Sequence, residues 1–139
     1  MEQNIYIPGD LVMFNNEVVM INEVDNAAGD ENPFIYITCT NKRKSFYERS
    51  SEVNPIPLTP EILKKNGWYE TSDGVFEKSI FIGKDEDNEE IYAHLIAFYE
   101  GIDGWDIDKE DTFLVHNIHY VSQLQHLLFG LGLDSNIKL

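Results

Sequence analysis

The sequence predicts an α+β protein, rich in antiparallel strands and carrying two short helices. Three observations lead there. Runs of β-branched and aromatic residues recur between turn residues along most of the chain. Helix boundaries are written at two places only, residues 59–66 and the stretch that opens at Ser122. The 139 residues are 42% apolar and 12% aromatic, which suits a folded core and not an acidic disordered tail.

The elements can be justified in order. Residues 11–14 and 17–21 are apolar runs separated by Asn15-Asn16, and asparagine tolerates the positive φ of a tight hairpin. Residues 34–40 read as a further strand, Asn41-Lys42-Arg43-Lys44 as a basic turn, and Ser45-Phe46-Tyr47 as the start of a fourth. Four short strands so close together predict a small SH3-like N-terminal barrel or sheet. A short linker helix follows: Thr59 is a good N-cap, Pro60 is pre-organised for the first helical position, Lys64 and Lys65 face the negative end, and Gly67 stops it.

The second half predicts a second antiparallel sheet. Ser72-Asp73-Gly74 is a turn, residues 75–82 and 91–99 form a long hairpin, and residues 85–90 are its charged tip. Residues 100–111 read as a loop and 113–120 as a strand. Ser122 and Gln125 match a capping box, and Leu124, Leu127, Leu128 and Leu131 form one apolar stripe. That C-terminal helix is expected to pack on the second sheet and to end at Gly132, with Leu133, Ile137 and Leu139 as a terminal strand. The chain reads as a single compact domain, 1–139, with lobes 1–56 and 68–139 joined by helix 59–66.

Two of these segments resemble a known group. Ile56-Pro57-Leu58-Thr59-Pro60-Glu61-Ile62-Leu63 with Asn66-Gly67-Trp68, and Tyr120-Val121-Ser122-Gln123-Leu124-Gln125-His126-Leu127, are similar to segments of small proteins of gut-bacterial phages and mobile elements. Ser122 stands where that group has His, and Trp68 where it has Phe. The group has no assigned activity, so the resemblance implies a phage-type accessory protein and no functional residue.

Composition narrows the function. With 25 acidic and 10 basic residues the formal charge is −15, which repels phosphate backbones and anionic membrane surfaces. The acidity is local: residues 70–111 hold 14 acidic and three basic residues, and residues 112–139 hold one of each. Cys39 is the only cysteine, so neither an intrachain disulfide nor a thiolate zinc cluster is available. No apolar run approaches the ~20 residues of a membrane span. The expectation is a cytoplasmic protein, with a virus particle as the alternative location.

Candidate sites follow from the same chemistry. The loop containing Asp103, Trp105, Asp106 and Asp108 offers an aromatic anchor among carboxylates, suited to a basic protein surface, against a Trp folded over the core edge. The basic turn of Lys42, Arg43 and Lys44 could hold a nucleotide-like ligand, or simply guard a strand edge. His116, His119 and His126 are weak candidates for metal, since strand alternation turns the first two to opposite sides. Asp85, Asp87 and Glu89 alternate like calcium ligands, but Glu90 stands where the sharp turn of an EF-hand needs Gly. No nucleophile elbow, P-loop or dinucleotide fingerprint is present. The expectation is therefore a non-enzymatic acidic binding protein without cofactor or metal, a phage accessory engaged in host interaction or counter-defence. Its alternatives are a structural component of a phage particle and a small His/carboxylate metal-dependent enzyme.

Overall fold

The computed structural model describes residues 6–25, 36–41, 44–49, 52–110 and 112–139. It is an α+β protein of two antiparallel five-stranded sheets and two helices. The chain divides into two compact units. One holds Met1–Pro57 and Tyr120–Ile137, the other Leu58–His119 and Lys138–Leu139.

In the first unit, β1 (Leu11–Phe14) and β2 (Glu17–Asp25) form the expected hairpin, with Asn15 at φ 48° and Asn16 at φ 64°. Two consecutive positive φ values make a turn whose twist matches the flanking strands. Strands β3 (Tyr36–Asn41), β4 (Lys44–Arg49) and the two-residue β5 (Asn54–Pro55) complete the sheet in the order β4-β3-β2-β1-β5. This order is linear among the described residues, so the α+β class stands and the narrower expectation of an SH3-like barrel is not confirmed. Tyr6, Val12, Val19, Ile21 and Val53 form the buried cluster of this unit.

Helix α2 (Val121–Gly130) belongs to the first unit. It starts earlier than the Ser122 capping box predicts. Tyr120 is the N-cap, and the Oε1 of Gln123 accepts from its backbone N–H at 3.1 Å. Gln125 is thereby released for other work. Gly132 ends the helix as expected, at φ 73°, while Leu133 N donates back to Leu128 O. Residues 133–139 form no strand, contrary to expectation, although Ile137 is buried.

In the second unit, α1 (Pro60–Lys65) has the predicted boundaries. Thr59 Oγ1 accepts from Ile62 N at 3.3 Å, and Gly67 takes φ 85°. Asn66 then clasps the end of the chain: its Nδ2 donates to Lys138 O, and its Oδ1 accepts from Lys138 N. The sheet runs β10-β9-β8-β7-β6. Its strands are β6 (Tyr69–Ser72), β7 (Val75–Lys84), β8 (Glu90–Tyr99), β9 (Trp105–Lys109) and β10 (Thr112–Ile118). Strand β9 corrects the reading of 100–111 as a loop. Phe76, Ala97 and Ile107 lie side by side in register and are buried, which defines the inner face. No described helix is long and apolar enough to cross a membrane.

Candidate functional site

Strand β9 decides how the acidic region is presented. Its side chains alternate, so Trp105 and Ile107 point inward while Asp106 and Asp108 lie on the opposite, half-exposed face. Trp105 is 1% exposed, donates from Nε1 to Leu58 O at 3.3 Å, and packs edge-on against Phe76 with centroids 5.7 Å apart. It is a core residue: of the two readings, the Trp folded onto the core holds, and that of Trp105 as an exposed anchor is corrected. The physical reason is the pleat: a Trp two positions before a buried Ile shares its face.

The exposed apolar residue of this loop is Ile102, 93% accessible, which the sequence reading passed over. It sits in the 3-10 turn Gly101–Asp103. Gly104 closes that turn at φ 81°, and a Cβ there would lie 2.6 Å from Ile118 O, so only glycine fits. Glu100 and Asp103 of this turn line an open hollow of about 480 Å³ together with Asp106, His116 and Asn117. Asp108 is not among the lining residues.

Asp106 is the organising group. Its Oδ1 receives the Nδ1 of His116 at 3.2 Å and the backbone N–H of Asn117 at 3.3 Å. Asn117 takes φ 59°, within an irregular stretch of β10 that turns His116 toward the carboxylate. The ring centroid of Phe113 lies 3.9 Å from that of His116, with the rings tilted by 38°. The hollow thus presents carboxylates on a glycine-bounded turn and a strand, next to one oriented imidazole. That set suits recognition of cationic groups by ion pairs and hydrogen bonds.

The other predicted residues fall elsewhere. His126 lies in the first unit, where its Nε2 is 2.7 Å from the Oδ2 of buried Asp10. His119 is exposed in the second unit, beside Gly104. Among the described residues no three His, Cys, Asp or Glu side chains group as metal ligands. In the acidic hairpin tip, Asp85 Oδ1 accepts from the backbone N–H of Asp87 and of Glu89, so this carboxylate shapes its own turn. Lys42 and Arg43 of the basic turn lie outside the described residues, and Lys44 opens β4.

His94 was not singled out from the sequence. Its Nδ1 meets Glu77 Oε1 at 3.0 Å and Ser79 Oγ at 3.1 Å, on adjacent strands. A nucleophile relay needs the acid and the hydroxyl on opposite ring nitrogens, so this trio is not arranged as one. Tyr92 donates to Glu90 Oε2 at 2.5 Å. That hydrogen bond, more than desolvation and the carboxylate's charge, raises the phenol above its ordinary pKa. No family model, curated protein or solved structure matches this chain.

Proposed function

We propose that this chain is a non-enzymatic acidic binding protein whose hollow takes basic side chains of a partner protein. One observation carries the reading: Glu100, Asp103 and Asp106 converge on one open hollow, beside an apolar side chain that is almost wholly exposed. An exposed Ile102 next to carboxylates matches a basic surface with an apolar element, as in protein interfaces where a small apolar centre is ringed by charge. The concentration of 14 acidic residues in 70–111 adds long-range attraction for such a partner. The phage-accessory resemblance fits a role of this kind, in which a small protein occupies a basic surface of a host factor.

A fluorescent octalysine peptide tests the reading by anisotropy at low salt. The triple change Glu100→Gln, Asp103→Asn and Asp106→Asn should weaken binding about tenfold. An equal charge change at the exposed Glu17, Glu23 and Glu52 should have a much smaller effect. Equal loss from both sets would show only general attraction to an acidic protein and would overturn the site.

A further inference from the structure

The long hairpin of the second unit outruns its own sheet. Strand β6 pairs with β7 only at Val75, Phe76 and Glu77, and β9 pairs with β8 only from Leu95 to Tyr99. Beyond those points β7 and β8 pair with each other alone, through Phe81↔Tyr92 and on to Lys84↔Glu90. Among the described residues, then, no strand other than β8 pairs with β7 from Lys78 onward. A two-stranded ribbon is marginal in water by itself, and an unpaired edge invites another strand.

This arm is apolar where an isolated ribbon ought to be polar. Phe81 is 55% exposed and Ile82 60%, with Ile91 and Tyr92 also exposed. The Phe81 and Tyr92 rings meet edge to face at 5.8 Å, which forms a small aromatic shelf on one side of the ribbon. Residues 84–90 then add five acidic side chains and one lysine at the tip. Exposed apolar surface rimmed by charge marks an interaction site. The tip decides the kind of partner. A second copy docked arm to arm would set like charges together, whereas a cationic segment would gain from every contact.

We infer that the arm is a docking strand for an extended segment of a partner protein in which apolar and basic residues alternate. The segment adds alongside β7, its apolar side chains on the Phe81–Tyr92 shelf and its basic ones toward Asp85, Glu86, Asp87, Glu89 and Glu90. Main-chain hydrogen bonds supply affinity in this mode, and the alternating side chains supply selectivity. The inference concerns a different surface from the hollow and goes beyond the function proposed there.

The probe is a fluorescent ten-residue peptide of alternating leucine and lysine, compared with serine–lysine and leucine–glutamate versions. Wild type should prefer the leucine–lysine peptide to either by about tenfold. The pair Phe81→Ser and Tyr92→Ser should abolish that preference. Neutralising Glu86, Asp87 and Glu89 to their amides should weaken binding without touching any apolar side chain, which covers the case in which the serine pair disturbs the ribbon. The hollow triple change, which weakens any lysine-bearing peptide, should leave the preference for leucine–lysine over serine–lysine intact. Equal binding of the leucine–lysine and serine–lysine peptides, or indifference to both arm variants, overturns the inference. Loss of that preference caused only by the hollow triple change overturns it too, while sparing the proposed function. Sedimentation of wild type as a dimer that Phe81→Ser dissociates assigns the arm to a second copy and also overturns it.

Discussion

At the scale of single residues, Gln125 shows best what the fold demands. It is buried, its Oε1 accepts from Leu11 N at 2.9 Å, and its Nε2 donates to Gly9 O and Ser135 O at 3.0 and 3.1 Å. One side chain thereby ties three backbone groups from both ends of the chain, next to the buried Asp10 that accepts from Ile7 N and meets His126. Gln125→Ala should cost about 2–4 kcal/mol in urea unfolding, because it leaves backbone donors and acceptors unpaired out of water. Gln123→Ala removes the reach back to Tyr120 N at the helix start and should cost about 0.5–1 kcal/mol. Equal costs would refute this division of labour. The sequence spacing Ser122-x-x-Gln125 suggested the opposite assignment. Capping arithmetic is local, and a helix cap that falls two residues earlier turns a cap residue into a long-range tie. The contact between Gln125 and Leu11 spans 114 residues, so nothing in the neighbouring sequence announces it.

At the scale of elements, boundaries set by stereochemistry were legible and faces set by packing were less so. Thr59-Pro60 and Gly67 delimit α1, Asn15-Asn16 makes the first hairpin, and Gly132 ends α2, because each residue type is tied to a backbone angle. Strand β9 was missed although Trp105-Asp106-Ile107-Asp108 alternates cleanly, since its acids and flanking glycines have the composition of a loop. Reading period before composition would have found it and placed Trp105 inside. The leucine stripe of α2 was half right. Leu124 and Leu128 are buried, but the buried face turns toward Val121, Ser122 and Gln125 and leaves Leu131 exposed. Leu124→Ala should therefore cost about 2–4 kcal/mol and Leu131→Ala within about 0.5 kcal/mol, measured by denaturant midpoint. Similar losses at both positions would restore the original stripe. The candidate site was legible as a charge concentration near Asp103 and Asp106. Ile102 and His116 joined it only through the turn and the bend in β10, which no spacing rule encodes.

At the scale of the whole molecule, the charge of −15 is a cost as well as a lure. Between residues 70 and 111 only Lys78, Lys84 and Lys109 offset 14 acidic groups, and Lys78 Nζ is turned to a backbone oxygen, Asn66 O, at 2.7 Å. Three described pairs join a histidine to a carboxylate: His94–Glu77, His116–Asp106 and His126–Asp10. The two exposed pairs contribute about 0–1 kcal/mol each, only His126–Asp10 has a buried carboxylate, and repulsion is summed over every carboxylate within the ~10 Å screening length at 0.1 M salt. Repulsion should win, so raising sodium chloride from about 20 to 500 mM should raise the thermal midpoint by several degrees. Chloride is the better choice because sulfate strengthens burial in its own right and would mimic the effect. Neutralising Glu86, Asp87 and Glu89 should raise the low-salt midpoint and flatten the salt dependence together, since one repulsive field causes both. A midpoint that falls with added salt would mean that the histidine pairs outweigh the acidic field.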